Sequence, residues 1–152
     1  MVSSVDPKDT SVLEIGAGTG AVTRALLKRG VERENLFVIE RDASLVRYLK
    51  EQFPGVRVRC GDAADTGKIL AAEAIGQVKT VISSLPLRNL PPDQRSKMVG
   101  AILDALCPTG QLIQYTYALG CPFPSKSHGV RAECLGRVWM NLPPAAVWRF
   151  TR

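Results

Sequence analysis

The chain has 152 residues, of which 45% are apolar and 22% charged, and it carries a formal net charge of +6. That length suits a single domain with one core and excludes a two-domain enzyme, and the composition is that of a globular chain, not of a disordered, collagenous or coiled-coil one. No apolar run approaches the roughly 18 residues that cross a bilayer, and the N-terminus MVSSVDPKDT lacks the apolar segment of a secretory signal, so the expected location is cytoplasmic.

From Ser11 short apolar runs alternate with helical stretches: SVLEI, then AVTRALLKRG; NLFVIE, then ASLVRYLKEQF; VRVRC, then a helix near ILAAEAI. This is the strand-helix rhythm of a parallel α/β sheet. VKTVISS reads as a fourth strand, and PPDQRSKMVGAILDALC as a helix with prolines at its start. Its apolar Met98, Val99, Ile102, Leu103 and Leu106, at helical spacing, are expected in the core. CPTGQLIQYTY turns at Thr109-Gly110 into a fifth strand, and residues 119–129, rich in Gly, Pro and Ser, read as a loop over the strand ends. GVRAECLGRVWMNL and AAVWRFTR, joined at Pro143-Pro144, are expected to form an antiparallel pair closing one edge of the sheet. Residues 1–152 thus form one domain of class α/β.

The charge is unevenly divided. Residues 1–76 hold 11 Lys/Arg and 11 Asp/Glu, while residues 77–152 hold nine and three. One end of the fold is therefore expected to be basic, drawing in anions: nucleic acid, phosphorylated small molecules or an anionic membrane surface. The four cysteines, Cys60, Cys107, Cys121 and Cys134, include no Cys-x-x-Cys pair and are accompanied by one histidine, so no metal site is implied and reduced thiols in or near the core are expected.

Glu14-Ile15-Gly16-Ala17-Gly18-Thr19-Gly20 stands where the first strand gives way to the first helix. Glycines let backbone amides approach a ligand where a Cβ would collide, and a helix N-terminus favours anionic groups. The same stretch reads as G-x-G-x-x-A over Gly16, Gly18 and Ala21, compatible with a dinucleotide fold, so the glycines alone leave the cofactor open. Glu40 ends the second strand, where a carboxylate can accept hydrogen bonds from both ribose hydroxyls of an adenosine, with Arg41 beside it. Asp62, followed by Ala63, stands after the third strand, where a carboxylate can accept from an adenine amino group. Ligands of open α/β sheets bind at the carboxyl ends of the strands, so the three signals converge on one crevice.

These residues, Glu14-x-Gly16-x-Gly18-x-Gly20, Glu40 and Gly61-Asp62-Ala63, resemble the class I S-adenosylmethionine-dependent methyltransferases over nearly the whole chain. The resemblance implies a Rossmann-like, mostly parallel seven-stranded sheet with an antiparallel C-terminal strand pair. It also implies S-adenosyl-L-methionine as cofactor and S-adenosyl-L-homocysteine as product, with no metal. The glycine loop, Ala17 included, would lie along the amino acid part of the cofactor, Glu40 at the ribose and Asp62 at the adenine.

Ser83-Ser84-Leu85-Pro86-Leu87 follows the fourth strand and in this fold borders the cofactor methyl group. The rRNA adenine dimethylases carry Asn-Leu-Pro-Tyr here, the Asn holding the amine and the aromatic stacking on the base. This chain keeps Leu85-Pro86 but has Ser84 for the Asn and Leu87 for the aromatic, which removes a stacking platform and suits an amine without a π-face. Ser84-Leu85-Pro86-Leu87, Gln114-Tyr115-Thr116-Tyr117, Cys121-Pro122 and Asn141-Leu142-Pro143-Pro144-Ala145 together are similar to the bacterial phospholipid N-methyltransferases of the Rhodobacter type. That resemblance implies methylation of phosphatidylethanolamine towards phosphatidylcholine by a cytoplasmic enzyme peripheral on the membrane face. It implies as partner a phospholipid head group at the anionic surface, with nucleic acid as the secondary alternative and a monomer as the default state. Those enzymes usually carry an amphipathic helix ahead of the glycine loop, used for membrane contact; only ten residues precede the first strand here, so that helix is expected to be absent, with either Met1 an internal start or the chain a trimmed form.

In-line displacement at a sulfonium methyl needs a neutral amine lone pair held on axis, so most of the catalysis should be positioning. Ser84, Tyr115 and Tyr117 are the candidate catalytic residues, to orient the amine or relay its proton, the two tyrosines being expected on different faces of the fifth strand. Leu85, Pro86 and Arg88 are the candidate substrate contacts, Arg88 and Lys97 being able to meet a phosphate. His128 is not expected to take part.

Overall fold

The computed structural model describes residues 2–117, 120–138 and 145–152. Seven strands form one sheet: β1 Val12–Ile15, β2 Leu36–Glu40, β3 Arg57–Cys60, β4 Val78–Ser83, β5 Leu106–Thr116, β6 Arg131–Val138 and β7 Ala145–Thr151. Their order is β3-β2-β1-β4-β5-β7-β6, with β1 to β5 parallel and β7 antiparallel to both β5 and β6. The helices are α1 Ala21–Lys28, α2 Ala43–Gln52, α3 Thr66–Ala72 and α4 Pro92–Asp104. The expected α/β sheet with a closing antiparallel pair is therefore present; the junction at Pro143-Pro144 and residues 141–144 lie outside the described residues.

Every residue of β1 and of β2 is buried, as central parallel strands covered on both faces require. One core lies beneath α3, α4 and the 120–130 segment, and holds Leu13, Ile15, Phe37, Ile39, Val99, Ile102, Leu112 and Phe150. The other lies beneath α1 and α2, and holds Val12, Leu26, Val38, Leu49, Phe53, Ile82 and Ile113. Asp42 starts α2 by accepting the amides of Ser44 and Leu45, so the chain leaving Glu40 turns at once into a helix.

Four local expectations are corrected. The fourth helix ends at Asp104 and not at Cys107, because the Ala105 carbonyl is taken by the Val78 amide at 2.8 Å. β5 therefore begins at Leu106, and the Thr109-Gly110 turn becomes an irregularity inside it, where the β4–β5 register shifts between Val78 and Thr80. Met98 is half-buried and faces the crevice described below, whereas Val99, Ile102, Leu103 and Leu106 are core. The thiols are free, as expected, but only partly near the core: Cys121 packs against it, none of the four is fully buried, and Cys60 is exposed at the tip of the edge strand β3.

The segment after β5 does more than overlie the strand ends. β6 starts opposite Thr151, which pairs with Gln111 in the middle of β5, so the chain runs back along the sheet. On the way Phe123 is buried and stacks on Phe150 with centroids 4.2 Å apart.

Candidate active site

The loop between β1 and α1 carries Gly16, Gly18 and Gly20, all with φ near +60 to +80°. Their surroundings separate their roles. A Cβ on Gly16 would stand 2.9 Å from Leu85 Cδ2, and one on Gly20 would stand 2.4 Å from Phe53 Cε2, so both are close-packing positions. A Cβ on Gly18 would meet nothing within 4 Å, and it would project into the crevice that Gly18 lines.

That crevice, about 280 Å³, lies at the carboxyl ends of β1 to β4 and is lined by Gly16, Gly18, Glu40, Arg41, Asp62, Ala63 and Ser84. These seven, expected from the sequence at separate strand ends, are brought together. Three of the other expected cofactor contacts, Glu14, Ala17 and Gly20, do not line it. Apolar Ile15, Ile39, Leu90 and Met98 complete the walls, a surface suited to a flat base. Leu90 and Met98 were not legible as site residues, since apolar residues at helical spacing or after a turn carry only a packing signal.

Glu40 is 9% exposed, and its carboxylate is already engaged. Oε2 accepts the Gly18 amide at 2.9 Å, and Oε1 accepts the amides of Arg41 and Asp42 at 2.8 and 3.0 Å. A carboxylate offers about four acceptor positions, so about one remains. It can take one hydroxyl directly; a second would have to replace the Gly18 amide, which narrows the sequence expectation of a double contact. Asp62 caps the short 3-10 turn Ala63–Asp65 through Oδ1, which accepts the Ala64 amide at 2.8 Å. Its second oxygen has no hydrogen-bond partner among the described residues and can accept an amino group. An open cradle at Gly18, a carboxylate with spare capacity at Glu40 and a second one at Asp62, joined by apolar walls, fit an adenosine carrying a short polar tail.

Glu14 lies on the opposite face of β1 from Ile15, beneath α1, and is 1% exposed. Its Oε2 accepts from Thr23 Oγ1 at 2.7 Å, and its Oε1 is buried without a partner. Burial pushes the carboxyl up to about 7, against the lowering effect of the Thr23 bonds and with a further small rise from the charge of Glu40. It braces the glycine loop from below and does not reach the crevice surface.

A second cavity, about 350 Å³, is lined by Ser84, Leu85, Pro86, Arg88, Asn89, Tyr115, Thr116 and Tyr117. Ser84, Leu85 and Pro86 line both cavities and so form the partition between them. The partition is held on several sides: the Ser84 amide donates to Ile15 O at 3.2 Å and the Leu85 amide to Ser83 Oγ at 3.3 Å. Leu85 O accepts from Gln114 Nε2 at 2.9 Å and from the Leu87 amide at 2.8 Å, so both its lone-pair directions are taken.

Tyr115 and Tyr117 do share one side, contrary to expectation: their rings meet edge to face, with centroids 4.9 Å apart, and both line the second cavity. Residues two apart on a strand point the same way. Leu87, where an aromatic would stack, is 1% exposed and turned into the core. The cavity therefore takes its aromatic character from β5, and the lack of a ring at position 87 does not leave it without one. Asn89, which also lines the cavity, had no signal in the sequence beyond its neighbour Arg88.

Arg88 is exposed and donates to Cys121 O at 3.2 Å, and among the described residues it is the one charged residue lining the second cavity. Lys97 lines neither cavity and instead lies within electrostatic range of Asp65. His128 packs edge-on against Phe123 and also lines neither. The positive charge of residues 77–152 is not gathered at this end. Lys79 donates to Thr109 and Arg152 pairs with Asp104, both towards the other end of the sheet, while Arg149, opposite Ile113 within the sheet, pairs with Glu133. Among the described residues no cluster of three potential metal ligands occurs, and no helix is long and apolar enough to cross a membrane.

Comparison with known proteins adds three findings. Residues 12–110 match the family model described as methyltransferase domain. Over 108 residues the chain is 32% identical to an ornithine lipid N-methyltransferase of Singulisphaera acidiphila, covering 69% of this chain and 56% of that protein. Over 113 residues it is 35% identical to a probable ribosomal RNA small subunit methyltransferase A of Haloquadratum walsbyi, covering 72% of this chain and 34% of that protein. The chain thus spans between a third and about half of the length of these relatives. Among solved structures, a TehB-like SAM-dependent methyltransferase from Corynebacterium glutamicum superposes with a TM-score of 0.72 at 19% identity, covering 99% of this chain and 84% of the other. The magnesium protoporphyrin IX methyltransferase from Synechocystis with bound SAM superposes with a TM-score of 0.76 at 14% identity, covering 99% and 74%.

Proposed function

From a chain that belongs to the methyltransferase domain family, we propose an enzyme that moves a methyl group from S-adenosylmethionine to the amine of phosphatidylethanolamine. The observation that carries this reading is the partition: Ser84, Leu85 and Pro86 line a nucleoside-shaped crevice on one side and a separate cavity on the other. A donor and an acceptor held in the two spaces would meet across one short segment.

Bound in the crevice, S-adenosylmethionine supplies a methyl group on a sulfonium, open to in-line displacement. The residues of this chain do the holding. Gly18 would leave room for its tail, Glu40 and Asp62 would accept from its ribose and adenine, and Ile39, Leu90 and Met98 would cover its base. On the other side Ser84, which lines both cavities, would accept a hydrogen bond from the amine, since Leu85 O is already saturated. Tyr115 and Tyr117 flank the amine and can pass its proton to solvent, Tyr117 being 62% exposed. Positioning of this kind, with water kept from the apolar partition, accounts for most of the rate.

Arg88 is the reason for choosing a phospholipid. A cavity lined by one cation and no carboxylate disfavours a bare cationic amine and favours one with an anion nearby, as in a phosphoethanolamine head group. The likeness to a protein named as a lipid N-methyltransferase supports a lipid amine. Exposed Arg88 and Arg137, both towards the crevice end of the sheet, would each add about 1 kcal/mol of attraction at an anionic membrane surface. The enzyme would then work as a monomer, peripheral on the cytoplasmic face.

A second reading, methylation of an adenine in RNA, is favoured by the tyrosine pair, which offers a base a surface to stack on, and by the likeness to a ribosomal RNA methyltransferase. Labelled methyl transfer into phosphatidylethanolamine vesicles, ornithine lipid vesicles and ribosomal RNA separates these readings. Label in phosphatidylethanolamine is the expected result; label in RNA alone rejects the lipid reading.

A further inference from the structure

Gln114 is fully buried on β5 and lines neither cavity, yet both of its amide hydrogens go to carbonyls that border the acceptor cavity. Nε2 donates to Leu85 O at 2.9 Å, in the partition, and to Tyr115 O at 2.6 Å, on the strand that carries the two tyrosines. One side chain therefore ties together the two walls between which the acceptor must sit. The donation assigns the amide orientation, since only the nitrogen end can bond two carbonyls.

Stability does not explain this residue. Among the described residues its buried Oε1 has no hydrogen-bond partner, and neither has the indole nitrogen of Trp148, the residue opposite it in the β5–β7 pairing. A buried acceptor left unpaired costs free energy, and an aliphatic side chain of similar volume, as at neighbouring Leu112, would avoid that cost. What Gln114 contributes is geometry: it sets how far the Ser84 hydroxyl stands from Tyr115, and it loads Leu85 O so that this carbonyl cannot draw the amine off axis.

We propose that Gln114 is a positioning residue for methyl transfer, acting on the partition and on β5 without touching donor or acceptor. The proposal rests on the methyltransferase reading above. In Gln114→Leu, S-adenosylhomocysteine affinity by calorimetry and the melting temperature should stay close to wild type. Turnover on phosphatidylethanolamine vesicles at saturating lipid should fall roughly tenfold or more, with KM changed by less than about threefold. In Gln114→Glu a protonated acid retains one donor and an ionised one retains none, so activity relative to wild type should decline as pH rises. A merely structural residue would show neither the kcat-specific loss nor that trend. Wild-type turnover in Gln114→Leu, or a loss no larger than the loss of folded protein, would overturn the proposal. Should wild type methylate none of the lipids or RNA, the substrate reading fails and the proposal is judged on amide hydrogen exchange at residues 84–87. Faster exchange in Gln114→Leu than in wild type, both with S-adenosylhomocysteine, supports it, and equal exchange overturns it.

Discussion

The Gly18 amide donates to Glu40 Oε2 at 2.9 Å, which makes the glycine loop after β1 and the acid at the tip of β2 a single unit. The two strands are hydrogen-bonded neighbours, with Glu14 opposite Val38 and Ile15 opposite Ile39, so the loop and the acid leave the sheet side by side. A ligand that reaches the crevice meets both at once, and a change at one is felt at the other.

Glu40→Ala removes three amide bonds and the acceptor for a ribose hydroxyl together. We expect S-adenosylhomocysteine binding to weaken by about 1–3 kcal/mol, the scale for a charge-assisted hydrogen bond, with some loss of stability as well. Glu40→Gln keeps one acceptor oxygen and should lie between the two. Isothermal calorimetry decides, and unchanged affinity in Glu40→Ala would remove this residue from the site.

Gly18→Val and Gly20→Ala should fail in different ways. At Gly18, which lines the crevice, the new Cβ meets nothing within 4 Å, so the variant should fold, at a backbone cost of about 1–3 kcal/mol for a φ of +57°, and lose ligand binding. At Gly20 the Cβ would overlap Phe53, so the loss should be in stability first. Chemical denaturation beside calorimetry separates them; a Gly18→Val protein that binds normally would show that the crevice is not the ligand site.

Glu14 should make stability depend on pH in a stated direction. Its carboxyl lies at 4.5 ordinarily and at about 7 in the fold, so the folded state holds a proton between those values that the unfolded chain has lost. The contribution is therefore fully present below about pH 4.5 and is lost as pH rises through about 7, up to about 3 kcal/mol across that window. Glu14→Gln should flatten this decline. Urea denaturation of both proteins at the two ends of the window measures it, and parallel curves would contradict the burial argument.

Arg88→Gln should raise KM for phosphatidylethanolamine roughly fivefold, about 1 kcal/mol, with kcat nearly unchanged. The guanidinium is exposed, so the effect should shrink at high salt. A fall in kcat with constant KM would place Arg88 at the reacting amine instead of at the phosphate.

Much of the crevice was legible because its signals are local. Each of Gly16-Ala17-Gly18, Glu40 and Asp62 stands immediately after a run of strand-forming residues, and a parallel sheet brings such positions to one edge. The glycines also announce themselves, since a positive φ is a backbone requirement that few other residues meet. Glu14 belonged to the same motif yet lies beneath α1, because its neighbour Ile15 takes the face that lines the crevice. Met98 and Leu90 gave no signal apart from packing; the acceptor cavity gathers the expected Ser84, Leu85, Pro86, Arg88, Tyr115 and Tyr117, whereas Leu87 is turned inward and the rings come from the end of β5.

The order of residues along the chain was enough to determine an alternating α/β domain, a glycine cradle followed by two acids at strand tips, and a closing strand pair, because periodicity and backbone demands act over a few neighbours. Which side of the sheet Tyr115 and Tyr117 line and how Gln114 joins a partition 29 residues away were decided only by the register of β4, β5 and β7. Pairing between strands distant in sequence sets which side chains meet, and that choice comes from the packing of the whole sheet.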